Sequence, residues 1–281
     1  LTVAQQGFAA GQFVLSIAAV SAFLWNVDAM PLGTASIWVA ALLAGMWALG
    51  LFMQARLQWL EVLVLESAVL ATLASIGLLD HYLWLKPLPL TFAIIFIATR
   101  IHSMPVRGQK DGFFDTCLLL ALLASLAGDV LLMLPGNYFV PGLAAFLVAH
   151  LCYLALLRQG VGWFPSRRAL LAVLAVGAGM YAVLWPGLGG GVLPVAVAAY
   201  VVVISLMAAQ AMGRATLRGD AGARWVAAGA CIFMLSDALI AINKFVTPVP
   251  QSGLWILATY FCAQMLIVHH ARPDHPVLPR A

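Results

Sequence analysis

Long apolar stretches, interrupted by few charges, constrain this chain more than any other feature of its sequence. Only 9% of its 281 residues are charged, whereas 64% are hydrophobic. A soluble domain usually carries about 25% charged residues, because its surface must interact with water. Lipid must therefore be the solvent for most of this chain. This composition excludes a soluble globular enzyme, a disordered chain, a disulfide-stapled secreted domain and a conventional nucleic-acid binder.

Ten stretches of the sequence are long and apolar enough to cross a bilayer. The hydrocarbon core of a bilayer is about 30 Å thick, and a helix of about 20 apolar residues spans it. We therefore expect an all-α polytopic transmembrane helical bundle of about ten helices. The expected spans cover approximately residues 8–26, 34–53, 59–79, 86–101, 113–134, 139–157, 168–185, 192–212, 223–243 and 254–270.

The basic residues give this chain an orientation. Twelve of the fourteen Lys and Arg residues fall in loops after even-numbered spans or in the C-terminal tail, and only Lys86 and Lys244 lie toward the other side. Lys and Arg accumulate in cytoplasmic loops of membrane proteins, so both termini are expected in the cytoplasm. The same loops account for the net charge of +4, and we expect no nucleic-acid partner. The twelve residues are Arg56, Arg100, Arg107, Lys110, Arg158, Arg167, Arg168, Arg214, Arg218, Arg224, Arg272 and Arg280.

Two aspartates inside expected spans are the strongest candidates for function. An ionisable side chain in hydrocarbon costs about 2.5–3.5 kcal/mol on insertion scales, so it needs a partner, an aqueous cavity or a catalytic role. Asp129 and Asp237 both lie about 8–10 Å below the outer surface, at 1.5 Å per helical residue. Lys86 and Lys244 lie on the same side. Two structural Asp–Lys pairs would explain this placement, and so would a catalytic carboxyl dyad with a cationic rim.

Other polar side chains in the spans are candidates for substrate contacts. His150 lies in the middle of the sixth span, Asn243 precedes Lys244, and Tyr260 and Gln264 share a face of the tenth. Hydrogen bonding between helices is the alternative explanation for His150, Tyr260 and Gln264. One His and two Asp can in principle bind a divalent metal, but we expect no metal and no cofactor. The four cysteines, Cys117, Cys152, Cys231 and Cys262, have no CxxC spacing and are interpreted as packing residues.

A short internal similarity suggests a duplication. Residues 125–132 (SLAGDVLL) resemble residues 234–240 (MLSDALI), and both segments lie in spans that run outward from the cytoplasm. The two spans are four helices apart, which is consistent with a parallel duplication of a four-helix unit. Gly128 and Ser236 precede the aspartates, and such small residues allow neighbouring helices to approach closely.

Five segments together resemble the YhhN family of lysoplasmalogenase-like membrane proteins. The resemblance covers roughly residues 59–271, the eight-helix core of that family. We therefore divide the chain into two extra N-terminal helices (1–57), an eight-helix core (58–272) and a short cytoplasmic tail (273–281). The segments are Lys86-Pro87, SLAGDVLLML (125–134), FVPGLAAFLVAHLCYL (139–154), AGACIFMLSDALIAINKF (228–245) and ATYFCAQMLI (258–267).

The resemblance implies an enzyme that hydrolyses the vinyl ether bond of lysoplasmalogen to a fatty aldehyde and a glycerophospho-base. The family's acidic motif positions fall on Asp129 and Asp237. The substrate would be a single-chain phospholipid of the surrounding membrane, which we expect to be a bacterial inner membrane. Vinyl ether hydrolysis needs a proton delivered to carbon, stabilisation of an oxocarbenium ion and a water molecule, and two carboxyls of unequal pKa can divide these tasks.

Two other functions fit the same intramembrane charges. One is a proton-coupled transporter of lipids or small molecules, in which the aspartates relay protons and Glu66, nearer the cytoplasm, extends the relay. The other is a lipid-binding membrane scaffold with structural ion pairs. A relay requires acidic groups at graded depths, whereas the two aspartates share one depth. The sequence leaves the oligomeric state open.

The charge asymmetry makes a direct prediction about topology. A reporter that is active only in the cytoplasm should be active when it is fused after Ala281, because the tail follows an even number of spans. Activity of only an outer-side reporter at this position would contradict the ten-span topology.

Overall fold

The computed structural model describes residues 58–79, 81–103 and 109–273. The chain divides into two compact units, Leu1–Val62 and Leu63–Ala281, and the second contains all the candidate site residues. The N-terminal helices expected over 8–26 and 34–53 and residues 274–281 of the tail lie outside the described residues.

All regular secondary structure in the described ranges is helical, as the composition predicts. Seven helical segments in these ranges are long and apolar enough to cross a membrane, and one of them, Tyr82–Ser103, consists of two consecutive helices. This result confirms an all-α polytopic bundle, whereas the total of ten helices and the duplication stay predictions. The helices are α1 (Trp59–Ser75), α2 (Tyr82–Leu85), α3 (Leu88–Ser103), α4 (Gln109–Met133), α5 (Phe139–Leu157), α6 (Arg167–Leu184), α7 (Leu193–Arg218), α8 (Ala221–Phe245) and α9 (Ser252–His270).

The helix expected over 59–79 ends at Ser75, and its 17 residues are not among the seven candidate spans. Two further helices differ from the expected spans for local reasons. The span expected over 86–101 is preceded by the single turn α2, and α3 starts after Lys86-Pro87, since proline is tolerated only in the first turn of a helix. The span expected to end at 212 continues six residues further, to Arg218. It stops where Gly219 adopts a left-handed conformation (φ 69°), which is a common helix terminator.

Asp220 starts the next helix. Its Oδ1 accepts a hydrogen bond from the backbone N–H of Ala223 at 2.7 Å, and its Oδ2 accepts one from Arg218 Nε at 2.6 Å. Partial burial raises the pKa of this carboxyl, but the Ala223 N–H and the Arg218 guanidinium outweigh that effect and lower it below its ordinary value. Asp220 is therefore an ionised N-cap at the N-terminal end of α8.

Helix pairing places the two aspartates in neighbouring hairpins. Helix α4 packs along α5, α8 packs along α9, and α7 contacts α5, α6 and α8. At Gly128 a Cβ atom would lie 2.6 Å from the Phe146 ring, so only glycine permits this spacing of α4 and α5. Ser236 is buried and its hydroxyl donates to the Ile256 carbonyl of α9 at 3.0 Å. The small residues beside each aspartate thus lie at close helix contacts, as expected.

Candidate active site

An apolar cavity of about 480 Å³ lies among helices α4 to α8. Its volume is within the range of about 300–1,000 Å³ that is typical of ligand cavities. Of the described residues that line it, only Asp237 carries a carboxyl and only Tyr200 a hydroxyl group. The remainder of the wall is made of aliphatic and aromatic side chains, with one thiol, Cys231. The cavity therefore suits a hydrocarbon chain that must meet one carboxyl group.

Asp237 is held from two sides. The Tyr200 hydroxyl donates a hydrogen bond to Asp237 Oδ2, and His150 Nε2 lies 3.8 Å from the same oxygen. The other imidazole nitrogen, Nδ1, contacts the Phe146 carbonyl. Because a carbonyl only accepts, Nδ1 carries the proton, and Nε2 of the neutral ring presents a lone pair toward Asp237.

The His150 ring is fully buried, and its Nε2 has no hydrogen-bond partner. A distance of 3.8 Å is longer than a hydrogen bond, so a small movement of either side chain would be needed for proton transfer. Nε2 is therefore a proton acceptor placed next to the carboxyl but not yet bonded to it.

Asp129 lies in a different set of contacts. Lys86 Nζ is 3.3 Å from its Oδ1 and donates to its backbone carbonyl, also at 3.3 Å. The Tyr260 hydroxyl donates to its Oδ2 at 2.7 Å. Both members of the Asp129–Lys86 pair are buried, and a buried carboxylate with a cation and a hydroxyl donor is satisfied as an anion.

A short hydrogen-bonded chain holds Tyr260 in place. The Tyr153 hydroxyl donates to Gln264 Oε1 at 2.6 Å, and Gln264 Nε2 donates to the Tyr260 oxygen at 3.5 Å. All three side chains are buried. The two residues predicted on one face of the tenth span, Tyr260 and Gln264, are thus brought together with Asp129.

Aromatic rings separate the two aspartates. The Phe233 ring centroid is 4.7 Å from that of His150 and 5.4 Å from that of Tyr260, so it lies between the two polar groups. Phe146 packs edge-on against Tyr260 at 5.9 Å. Asp129 is not among the residues that line the cavity. Of the two carboxyls, Asp237 alone lines this cavity, and the catalytic dyad stays a prediction.

Lys244 and Asn243 lie at the end of α8. Lys244 Nζ is 4.6 Å from the Phe139 ring centroid and 5.9 Å from that of Phe245, and both rings line the cavity. Of the two Asp–Lys pairs considered, the structure contains the Lys86–Asp129 pair, whereas Lys244 lies over aromatic rings. Asn243 Oδ1 accepts a hydrogen bond from the Val249 N–H at 2.9 Å, so it orders the loop after α8.

The structure therefore places the predicted substrate-binding residues in the layer behind the cavity or at its end. None of Lys86, Lys244, His150, Asn243, Tyr260 and Gln264 is part of the cavity lining. Their contact with substrate stays a prediction.

Sequence reasoning missed Tyr200, the hydroxyl donor to Asp237. The available signal was a tyrosine well inside an apolar span, with a hydroxyl that needs a partner. It also missed the buried pair of Arg100 and Asp115, whose Nη2 and Oδ1 atoms are 3.0 Å apart. Arg100 counted as a cytoplasmic charge, but it is only 8% exposed.

The described ranges contain no group of three or more His, Cys, Asp or Glu side chains that converge on one point. Asp237 and His150 are the nearest approach to a ligand set at the cavity, and together they offer two donor atoms. A metal bound there would need further ligands from water or substrate.

Comparison with known proteins gives a consistent family. Residues 81–271 match the YhhN family. A Bos taurus protein named lysoplasmalogenase TMEM86A is 38% identical over 157 residues, which are 54% of this chain and 63% of that protein. A human protein named lysoplasmalogenase TMEM86B is 33% identical over 190 residues, or 67% of this chain and 76% of its own length.

A bacterial relative has a similar name. A Mycobacterium tuberculosis protein named lysoplasmalogenase is 38% identical over 156 residues, covering 53% of this chain and 58% of its own length. This chain therefore spans about 60% of the length of the bovine and mycobacterial relatives. No solved structure matches it.

The buried Asp129–Lys86 pair predicts that removing Lys86 and removing Lys244 have unequal effects on stability. Lys86→Met leaves a buried carboxylate without its cation and should lower the free energy of unfolding by about 3–5 kcal/mol. Lys244→Met is the matched control. This variant removes an exposed ammonium group that lies over two aromatic rings. It should lower the free energy of unfolding by about 1 kcal/mol or less.

Thermal unfolding in detergent measures both variants. Adding Asp129→Asn to Lys86→Met should recover part of the loss, because no unpaired charge then remains buried. Equal melting temperatures for the two lysine variants would show that the Lys86–Asp129 pair does not stabilise the bundle.

Proposed function

This chain belongs to the YhhN family, and we propose that it is a membrane-embedded hydrolase of the vinyl ether bond of lysoplasmalogen. The products are a fatty aldehyde and a glycerophospho-base. The observation that carries the proposal is the single carboxyl group, Asp237, in the wall of an otherwise apolar cavity. The relatives named lysoplasmalogenase support the same reaction.

The first step is proton transfer from Asp237 to carbon. The carboxylic acid protonates the vinyl carbon remote from the ether oxygen, and the π electron pair forms the new C–H bond. A lone pair of the ether oxygen then forms the C=O bond of an oxocarbenium ion, and Asp237 is left as a carboxylate. This is general acid catalysis by a positioned carboxyl, as in glycoside hydrolysis.

The second step consumes one water molecule. Water adds to the carbon of the oxocarbenium ion, and its proton returns to Asp237. The resulting hemiacetal collapses: its hydroxyl becomes the aldehyde carbonyl, the bond to the ether oxygen breaks, and that oxygen takes up the proton. One water is consumed, and Asp237 is restored as an acid.

Tyr200 and His150 adjust this carboxyl during the cycle. The Tyr200 hydroxyl donates to Asp237 and so stabilises the carboxylate that forms in the first step. His150 Nε2 lies 3.8 Å from the same carboxyl oxygen and orients the carboxyl toward the substrate. We therefore assign His150 as a positioning residue, in place of the expected substrate contact.

The two carboxyls of the predicted dyad divide their roles by environment. Asp237, beside a hydroxyl and a neutral imidazole, acts as the acid, whereas Asp129, paired with Lys86 at 3.3 Å, stays ionised. The charge of Asp129, and the hydrogen bond that Asp129 accepts from Tyr260, hold in place the aromatic rings against which His150 packs. Asp129 thus acts through other residues and not by contact with the reacting atoms.

The substrate follows from the same geometry. Its hydrocarbon chain occupies the apolar cavity, and its phosphate lies beside Lys244, whose exposed ammonium is a suitable point-charge partner. A single-chain phospholipid of a bacterial inner membrane has both parts. The protein would be oriented with its termini in the cytoplasm and Lys244 on the outer side.

Substitution of the acid tests the proposal. Asp237→Asn keeps the size of the side chain but cannot deliver a carboxylic proton, so kcat should fall by about 10²–10⁴. Asp129→Asn should also lower kcat, and the double variant should lose less than the product of the two losses, because the residues act as one unit. Aldehyde release from lysoplasmenylethanolamine is the measurement.

Asp220→Asn is the matched control. It also changes an aspartate to asparagine, but at an N-cap of α8, where asparagine caps equally well, so kcat should not change. Near-wild-type turnover by a well-folded Asp237→Asn protein would exclude the proposed mechanism. Absence of aldehyde release by the unsubstituted protein would favour a transporter or a lipid-binding scaffold.

A further inference from the structure

The walls of the cavity differ sharply in exposure. Four of the six residues that α7 contributes are buried, for example Ile204 and Ala208, which are 3% and 0% exposed. The residues contributed by α6 and α8 include Val176 and Leu235, which are 62% and 52% exposed. Helix α6 packs mainly along α7 and only sparsely against α8. We call the exposed edge of the cavity the α6/α8 seam, which consists of Ala172, Val176, Cys231 and Leu235.

A tethered segment packs on α7 just beyond the Met212 end of the cavity. Gln210 of α7 accepts a hydrogen bond from the Phe164 N–H at 2.7 Å and donates to the Gly162 carbonyl at 2.8 Å. At Gly213 a Cβ atom would lie 3.0 Å from Pro165, so this segment packs directly on α7. Met212 is the last residue of α7 in the cavity wall, and it therefore lies next to this fixed segment.

The opposite end of the cavity is closed by aromatic packing. Phe139 and Phe245 line it and contact each other edge-to-face, with ring centroids 5.4 Å apart. The loop after α6 lies against this pair: at Gly187 a Cβ atom would overlap the Phe245 carbonyl oxygen. Lys244 lies outside the pair, with its ammonium over both rings.

From the packing at both ends of the cavity and the exposure of its side wall, we infer that the substrate reaches Asp237 sideways from the lipid, through the α6/α8 seam. This inference rests on the proposed function for the chemistry at Asp237. The entering molecule is a single-chain amphiphile: its phosphate stays at the surface beside Lys244 while its hydrocarbon chain passes between α6 and α8. A lipid that enters in this way never leaves the hydrocarbon, so no apolar surface has to be hydrated.

Narrowing the seam tests the inference through turnover. Val176→Trp and Leu235→Trp add bulk to the two sides of the seam and should each lower kcat/KM for lysoplasmenylethanolamine by about tenfold, or about 1.4 kcal/mol of added barrier, because the indole rings narrow the opening. Leu171→Trp and Val183→Trp are matched controls. Both positions are exposed on α6, at 70% and 54%, but lie outside the cavity lining, so kcat/KM should not change.

A small substrate separates access from chemistry. Ethyl vinyl ether has no long chain to pass through the seam, so the Val176→Trp and Leu235→Trp proteins should hydrolyse it at the rate of the unsubstituted protein. Unchanged kcat/KM for the lipid in both seam variants would overturn the inference. Equal losses for the lipid and for ethyl vinyl ether would also overturn it, because they would indicate a damaged site.

The native thiol of Cys231 provides a test that does not need catalysis. Cys231 is exposed and belongs to the seam. In a protein carrying Cys117→Ala, Cys152→Ala and Cys262→Ala, a saturated single-chain ether phospholipid should slow the modification of Cys231 by a membrane-permeant maleimide. The same lipid should not slow modification of a cysteine placed at the control position, Leu171→Cys.

The two arms distinguish this inference from the proposed function. Protection of Cys231 by the ether lipid in a protein that releases no aldehyde would support lipid entry through the α6/α8 seam and contradict the proposed hydrolase function. Aldehyde release without any protection of Cys231, together with unchanged kcat/KM in the Val176→Trp and Leu235→Trp proteins, would support the hydrolase function and contradict lipid entry through the α6/α8 seam.

Discussion

A carboxyl group surrounded by hydrocarbon must find a partner, and this requirement at two aspartates determines how the helices of the described core are joined. Asp129 on α4 binds Tyr260 of α9, and Asp237 on α8 lies beside His150 of α5. Helices α4 and α5 pack as one pair and α8 and α9 as another. The polar contacts therefore cross between the two pairs. Loss of the Tyr260 hydroxyl would leave the buried Asp129 carboxyl without one of its donors, so this hydrogen bond favours one arrangement of the bundle over alternatives.

The crossing also separates two electrostatic environments that lie only an aromatic ring apart. On one side Lys86 neutralises Asp129, and on the other Asp237 has a hydroxyl and an imidazole as neighbours and faces an apolar cavity. The Phe233 ring contacts both sides and keeps the polar groups from merging. Such a separation allows a fixed ion pair and a carboxyl that exchanges protons to coexist in one small region.

The sequence predicted the parts of this arrangement that depend on one helix at a time. Apolar length located the spans, whereas the common depth that helical rise predicts for Asp129 and Asp237 stays a prediction. It could not assign partners, because the identity of the neighbouring helix depends on the packing of the whole bundle. Lys244 illustrates this limit: it shares a helical face with Asp237 but lies over Phe139 and Phe245. Tyr200 was missed for the same reason, since its role depends on α8 and not on its own helix.

In the proposed mechanism the carboxyl in the cavity wall delivers a proton to carbon, and the mass of the product tests this step most directly. Lysoplasmenylethanolamine is hydrolysed in heavy water, and the aldehyde is trapped by a hydrazine as it forms. The mechanism predicts one deuterium on the carbon next to the carbonyl, at a rate that collapses in Asp237→Asn. An aldehyde released without deuterium at that carbon would contradict the account.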